Sequence, residues 1–537
     1  MDAPHPRRRW YPTAGFPRDP NCGQQGYFVT PAQVHREIER KLRVPVEFDF
    51  PDLSATAVIA SWQPGTSFEM TAVYYDTADL RLFRWSITLR RRVGGEDAGW
   101  HLKLPVSKAD ASARDEIQLP LVAGAAGVVP AALADIVSPL VRDGRLVPLV
   151  TVTTLRTPYL VFDGTGTPII EIVDDQVAVS ETANQTTTTF REIEVEALNA
   201  EDEDALASMD VIATAFISAG ATPGSTSKAA SAFGARATAP PDIPALPMTT
   251  REGVAVDAIR SIISEHARHL LFADVGVRRD AEDSVHQMRV AARRLRSTLR
   301  TFGPLLDDQW ASTLTEELAW MAQEMGAIRD TEVLLKRLIK DANILDPTDE
   351  LAPVAITSWL QARLISARAG ALAGLRSDRH EYLLEDLVIA AREPNVKDDA
   401  YLPCEEVLPR LVAREWSALR KSVSGLQEDT PSTVWHRARI KAKRARYAVE
   451  AVSLIFGPEA TAFGRALADV TEVLGDHQDT YIAQHLLLDL VDKSDGSTAF
   501  RLGRLYAYEV DREMAYRDDF LKLWPTVRKA AKRSGLV

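Results

Sequence analysis

The chain has 537 residues, of which 46% are hydrophobic and 26% charged, and its formal net charge is −12. This length is too great for one hydrophobic core and predicts two to four domains of an ordinary soluble protein. The two cysteines, Cys22 and Cys404, match no metal-binding spacing, and no apolar run reaches the length of a membrane span.

These features exclude a disulfide framework and a membrane partner, and they predict a cytoplasmic protein. The N-terminus carries Arg7, Arg8 and Arg9, but no apolar stretch comes after them to make a signal peptide. Residues 1–26, which prolines and glycines punctuate, are predicted to be a disordered leader.

The first informative motif alternates acid and base, as Glu37-Ile38-Glu39-Arg40-Lys41. In a β-strand, successive side chains point to opposite faces, so Glu37, Glu39 and Lys41 would share one face. Carboxylates are hard ligands for Mg²⁺ or Mn²⁺, and a lysine attracts phosphate. The pattern alone is also typical of a strand that faces water, so its meaning depends on the charged residues farther along the chain.

Residues 35 to about 200 contain short β-branched and aromatic runs separated by turns, which predicts about eight strands closed into an antiparallel barrel. Two helices are expected, near 129–140 and 202–217. Charged residues alternate along several of these strands: Arg90, Arg92, Lys103, Arg114, Glu116, Arg156, Glu171, Asp174, Glu192, Glu194 and Glu196. Each of them taken singly could form a solvated edge or a turn. If one lumen held all of these residues, its acidic side chains would need a bound cation and its basic side chains a bound anion. A triphosphate with a bound metal ion would supply both.

Several motifs of this half, read together, resemble the CYTH family, the triphosphate tunnel metalloenzymes. They are Glu37–Lys41, Tyr75-Asp76-Thr77, Leu89-Arg90-x-Arg92, the Lys103 strand and the late Glu-x-Glu. The resemblance covers residues 30 to about 230, and it implies an eight-stranded tunnel that binds a triphosphate with Mg²⁺ or Mn²⁺. It implies that the phosphates are held by Lys41, Arg90, Arg92, Lys103, Arg114, Arg156 and Lys228. It also implies metal ligands at Glu37, Glu39, Glu194 and Glu196, supported by Glu116 and Asp174. Two alternatives stay open: Glu192 in place of Glu196 as a ligand, and Lys41 or Lys103 as the catalytic base.

Prolines mark 235–251 as a linker between a barrel domain (27–234) and a second domain (252–537). From about 252 onward, apolar residues recur at helical spacing and strand signals vanish, which predicts an all-α bundle. The fold class is therefore multidomain α+β.

The helical half contains an internal repeat. His286-x-x-Arg289-x-x-x-Arg293-Arg294-x-Arg296 returns 150 residues later as His436-x-x-Arg439-x-x-x-Lys443-Arg444-x-Arg446. Met325–Asp330 is likewise echoed by Leu474–Asp479. These matches predict two related bundles, over about 255–395 and 400–530.

On a helix, each motif forms a basic stripe, which is either a solvated face or an anion site. The stripes resemble those of the CHAD domain, which implies binding of inorganic polyphosphate. The residues expected to take part are His286, Arg289, Arg293, Arg294, Arg296, Arg300, Arg329, His436, Arg439, Lys443, Arg444 and Arg446. Nucleic acid is disfavoured because the stripes lack interleaved aromatic residues.

Together these features predict a metal-dependent triphosphatase that binds polyphosphate and could associate with polyphosphate granules. Three alternatives remain: adenylate cyclisation or thiamine triphosphate hydrolysis in the same tunnel, and a polyphosphate-binding scaffold without catalysis. The substrate would be inorganic, nucleoside or thiamine triphosphate. The sequence does not determine the oligomeric state.

Overall fold

The computed structural model describes residues 33–537 apart from 54–55, 57–58, 96, 107–112, 183–186 and 225–226, and it describes only the backbone of 33–37. The predicted leader over residues 1–26 lies outside the described residues.

The N-terminal half is a closed antiparallel barrel, which confirms the predicted fold. Its strands within the described residues are β1 (Gln33–Val44), β2 (Ser61–Pro64), β3 (Phe68–Asp76), β4 (Thr88–Val93), β5 (Gly99–Pro105), β6 (Ala113–Pro120), β7 (Val147–Phe162), β8 (Pro168–Glu181), β9 (Thr187–Ala197) and β10 (Thr222–Pro223). Eight of them pair around the barrel in the order β1-β6-β5-β4-β3-β7-β8-β9, and β9 pairs back with β1. The short strands β2 and β10 add to β7 and β1 at the edges.

The outer face of the barrel is apolar and covered. Ile193 and Val195 of β9 are fully buried beneath the helix Glu203–Ser218, where they pack in one cluster with Met209 and Phe216. On the opposite side, the outward residues of β4 to β6 join a large cluster that continues into the helical half. Because strand side chains alternate, burying these apolar residues outside directs their neighbours inward.

The C-terminal half is helical, as predicted. The helices of the described chain are α1 (Arg81–Arg84), α2 (Ala131–Val141), α3 (Glu203–Ser218) and α4 (Ala230–Phe233) around the barrel. After them come α5 (Ala255–Arg278), α6 (Ser284–Thr301), α7 (Asp308–Glu324), α8 (Gly326–Leu345), α9 (Leu351–Leu375), α10 (Asp378–Arg392), α11 (Cys404–Val423), α12 (Ser432–Phe456), α13 (Pro458–Val491) and α14 (Gly496–Arg533). The two basic stripes lie on α6 and α12, which are in contact. The echoed segments lie at the junction of α7 with α8 and inside the unbroken α13.

Part of the segment between the halves is packed against the protein. Ile243 is fully buried, and Asp242 accepts a hydrogen bond of 2.9 Å from the indole nitrogen of Trp85. Asp242 also pairs with the buried Arg142, whose Nε lies 2.6 Å from Glu385 on α10. This ion-pair chain therefore connects α2, the intervening segment and the helical half.

A second set of ion pairs lies at the same interface. Asp135 on α2 receives Arg278 at 2.8 Å and Arg376 at 2.7 Å, both from the helical half. Arg279 reaches Asp115 on β6 at 2.8 Å. The barrel and the bundle thus share both a hydrophobic core and buried charge pairs, which fixes their relative placement.

We expect Arg142→Ala to lower the free energy of unfolding by about 3–5 kcal/mol, because it leaves the buried Asp242 carboxylate unpaired. The matched control is Arg236→Ala, which removes an exposed pair with Glu181 and should cost less than about 1 kcal/mol. Chemical unfolding followed by circular dichroism measures both. Equal stability of the two variants would contradict a supporting role for the Arg142 pair.

Candidate active site in the barrel and a basic cluster in the helical half

The barrel encloses a cavity of about 1030 Å³ lined by charges of both signs. Of the residues predicted for the site, those that line it are Glu39, Lys41, Arg90, Arg92, Lys103, Arg114, Arg156, Glu194, Glu196 and Lys228. Glu37 lies opposite Arg114 in the strand register, but its side chain is outside the described residues. Alternation along β4 and β9 is consistent with Arg90, Arg92, Glu194 and Glu196 lining the lumen.

Three carboxylates form an acidic row across neighbouring strands. Glu39 on β1 lies opposite Glu196 on β9, and Glu196 lies opposite Glu171 on β8. Directly opposed residues of antiparallel strands have Cβ atoms about 4.5–5.5 Å apart, and all three side chains line the cavity. Carboxylate oxygens in such a row suit a hard divalent cation. The acidic row (Glu39, Glu171 and Glu196) is thus a candidate place for Mg²⁺ or Mn²⁺, although its three carboxylates are not drawn together as closely as those of Asp175, Glu192 and Glu194.

A second acidic group is already neutralised by a lysine. Asp175, Glu192 and Glu194 each offer an oxygen within 4.8 Å of the others. The ammonium of Lys228 lies 2.9 Å from Asp175 and 2.8 Å from each of the two glutamates. Arg156 adds a two-pronged contact to Asp175, with the shorter arm at 2.6 Å, and reaches Glu194 at 3.0 Å. A cation at this lysine-centred cluster would have to displace Lys228.

The buried ion pairs set the protonation of Lys41. Burial opposes its charge, but the carboxylates of Glu194, at 2.9 Å, and Glu39, at 3.2 Å, outweigh burial and hold the pKa of Lys41 well above its usual value. Burial likewise raises the pKa of Glu194, yet the charges of Lys228 and Lys41 bring it well below the ordinary range. Lys41 therefore keeps its proton, which disfavours it as a catalytic base.

The opposite wall of the cavity is basic. Burial, then the charges of Arg90 and Arg156, lower the pKa of Arg92 to about 9, even though Arg92 pairs with Asp97. Such mutual repulsion is relieved when an anion binds between the guanidinium groups. This wall is therefore suited to phosphate oxygens.

Two residues predicted to support the metal serve other partners. Glu116 lies 2.8 Å from His101, 3.7 Å from Arg90 and 3.9 Å from Lys103, so it positions the basic wall. Asp174 points to the other face of β8, where Arg191 holds it at 2.7 Å. Asp175 takes the inward position that the sequence pattern assigned to Asp174. Counting by twos from Glu171 would have selected it.

In the helical half, the two stripes converge on a basic cluster formed by Arg293, Arg439 and Lys443. Burial, and then the charges of Arg439 and Arg293, lower the pKa of Lys443 to about 7. The Nε atoms of Arg293 and Arg439 are buried and have no hydrogen-bond partner within the described chain. A cluster of this kind, drawn from both repeats, is suited to an anion.

The other residues of the stripes lie around this cluster. Some are held by the protein itself: Arg289 by the carbonyl of Ala322 (2.9 Å), Arg294 by Glu450 (3.6 Å), Arg329 by Asp283 (3.7 Å), His436 by Gln478 (2.5 Å) and Arg446 by Glu450 (2.5 Å). Burial and then Arg329 lower the pKa of His286, and burial with Arg444 and Arg296 lowers that of Arg300. Arg296, Arg300 and Arg444 thus form a neighbouring basic group.

Comparison with known proteins divides the chain in the same way. The CYTH domain family matches residues 35–215, and the CHAD domain family matches residues 261–488. Two uncharacterized proteins from strains of Mycobacterium tuberculosis are each 30% identical over 528 residues, which cover 92% of this chain and 98% of the relative.

Solved structures resemble parts of the chain. PptA from Streptomyces chartreusis is 23% identical and covers 51% of this chain and 99% of its own, with a TM-score of 0.43. The CHAD domain from the plant Ricinus communis is 24% identical and covers 52% and 93%, with a TM-score of 0.41. Among the helices of the described residues, none has both the length and the apolar character to cross a bilayer.

The basic cluster predicts a pH dependence for binding a polyphosphate anion. Below about pH 7, Lys443 is charged before and after binding, so the affinity is at its maximum. Above that pH the free protein loses this proton, and binding must recover it. The affinity should then fall by up to about tenfold per pH unit.

Fluorescence anisotropy with a labelled polyphosphate, from about pH 6 to about pH 8.5, measures this effect. Lys443→Arg should flatten the curve because arginine keeps its charge. Lys441→Arg, off the stripe on the same helix, is the control and should retain the wild-type slope. An unchanged slope in Lys443→Arg would show that Lys443 is not the titrating group.

Proposed function

We propose that this chain, which belongs to the CYTH family and carries a CHAD domain behind the barrel, hydrolyses inorganic triphosphate in the barrel and binds polyphosphate in the helical half. One observation carries the proposal for the barrel: an acidic row and a basic wall face each other across a single cavity. That separation of charge matches a phosphate chain with a divalent cation on one side.

The residues of the cavity take distinct roles in this proposal. A bound Mg²⁺ or Mn²⁺, held by Glu39, Glu171 and Glu196, supplies positive charge that stabilises the phosphoryl oxygens. Arg90, Arg92 and Lys103 bind the remaining oxygens of the chain and align it for attack by water. Lys103 is the candidate to accept the proton of that water, since the pKa of Lys41 is raised by its carboxylate neighbours.

The cavity supports an inorganic substrate over a nucleotide. Of the described residues that line it, the aromatic ones are Tyr74 and Phe83, which are only 4% and 7% exposed. Neither ring presents a face large enough for a base or a thiazolium ring to stack on. Charged side chains from every wall line the cavity, as a naked phosphate chain requires.

The helical half supports a longer anion. Its basic cluster combines residues from both repeats, and further arginines continue along α6 toward Arg300. A chain of phosphates can contact these groups in succession, and each contact releases counterions. The retained ligand is therefore proposed to be polyphosphate.

The acidic row is tested by phosphate release from tripolyphosphate with Mg²⁺ or Mn²⁺. We expect Glu39→Gln and Glu196→Gln each to lower kcat/KM by at least about a hundredfold, because each removes a carboxylate that would hold the divalent cation whose charge stabilises the transition state. Glu69→Gln, an exposed glutamate of β3, is the matched control and should keep wild-type turnover.

Equal turnover by wild type and Glu39→Gln would contradict the proposal that the barrel cavity hydrolyses triphosphate. A substrate panel separates the alternatives. Cyclic AMP from ATP would indicate a cyclase, preference for thiamine triphosphate a different hydrolase, and no product from any substrate a binding scaffold.

The helical site is tested separately. Arg293→Glu combined with Arg439→Glu should abolish retention of long polyphosphate at moderate salt while leaving tripolyphosphate turnover within about twofold, since the two sites share no residue. Arg410→Glu with Arg465→Glu introduces the same charge on exposed positions of α11 and α13 and should retain binding. Retention by the first pair, measured by a filter-binding assay, would contradict the assignment.

A further inference from the structure

A group of metal-binding side chains lies on α5, apart from the acidic row and the basic cluster. Glu265, His266 and His269 each offer one oxygen or nitrogen, and these atoms all lie within 4.8 Å of one another. Glu265 and His269 are four residues apart, so they stand one above the other on the helix. His266 lies three residues before His269 and flanks the same patch.

The burial of His266 is unusual for a polar side chain. It is 7% exposed, and its Nδ1 atom is buried and has no hydrogen-bond partner within the described residues. Polar atoms in protein interiors are nearly always satisfied, and an exception calls for a ligand, water or ion. Because the neighbouring Glu265 and His269 are also metal-binding residue types, they suggest a metal ion.

The patch can be reached by an ion. An imidazole nitrogen presents a lone pair to a cation when the ring is neutral. Glu265 and His269 are exposed, so an ion can reach the patch from solvent. Arg294 stands nearby, but Glu450 lies 3.6 Å from it and offsets part of its charge.

We propose that Glu265, His266 and His269 form a binding site for a transition-metal dication of the zinc class. Two imidazoles and one carboxylate are a donor set that zinc accepts with a fourth position left to water or another ligand. The acidic row of the barrel offers only oxygen and favours Mg²⁺ or Mn²⁺. The two sites therefore differ in the metal that they select, and the α5 site does not depend on the proposed activity.

The test is a titration of the full chain with Zn²⁺ in a large excess of Mg²⁺, which occupies the barrel. A chromophoric chelator reports free zinc, and Co²⁺ absorption reports nitrogen ligation. We expect His269→Ala and Glu265→Gln to weaken one zinc site by at least about tenfold, since even outer-shell changes have that effect. His485→Ala, an exposed histidine of α13, is the control and should bind zinc as the wild type does.

Both substituted side chains are exposed, so the fold should be retained, and circular dichroism checks this. One zinc ion lost in His269→Ala and Glu265→Gln but retained in His485→Ala supports the site. The same stoichiometry and affinity in all four proteins would overturn it. The proposed site would also be overturned if Mg²⁺ displaced zinc to the same extent from the wild type and from every variant.

Discussion

The structure depends on pairing opposite charges that the barrel withdraws from water. Lys228, whose burial alone would favour its neutral form, instead contacts Asp175, Glu192 and Glu194 within 3 Å. Charges buried in this way are tolerated only when partners replace the lost hydration. The outer face of the barrel is apolar and is covered by α3 and by the helical half. These carboxylate side chains of the strands therefore point into the lumen. The cavity's chemistry is thus a consequence of how the barrel is enclosed.

The pairing also divides the cavity into two parts. Near Lys228, acids and bases neutralise each other, and the arrangement is complete without a ligand. At Arg92, the positive charges of Arg90 and Arg156 act together with burial to lower its pKa. An imbalance of this kind marks a place where a bound anion lowers the energy. In the helical half, Lys443 and its arginine neighbours show the same imbalance on a different scaffold.

Much of this arrangement is determined by sequence periods. Alternation by two selected Arg90, Arg92 and Lys41, and helical spacing selected the stripes on α6 and α12, because each period is a direct property of its backbone. The choice between Asp174 and Asp175 depended on which of two adjacent positions faces inward. The two residue types are identical, so only the count by twos from Glu171 along β8 distinguishes them.

Contacts between distant parts of the chain could not be predicted from these periods. Arg142, Asp242 and Glu385 come from three separate regions of the chain, and nothing local indicates that they meet. The prolines around Asp242 indicated a linker, but they gave no sign that Ile243 within it would be fully buried. The partners of Glu116 and Lys228 likewise appear only when distant strands are brought into register.

The closure of β1 onto β9 has a further consequence for how the protein forms. Glu39 and Glu196 become neighbours only in this last pairing, whose partners are far apart along the chain. Contacts of such long range form slowly, because a large loop must first be ordered. During synthesis on the ribosome, the first half of β1 can pair with β6, but the half that carries Glu39 has its partner only after β9 has emerged. The acidic row is thus assembled late, and Glu39 and Glu196 are neighbours only in molecules whose sheet has already closed.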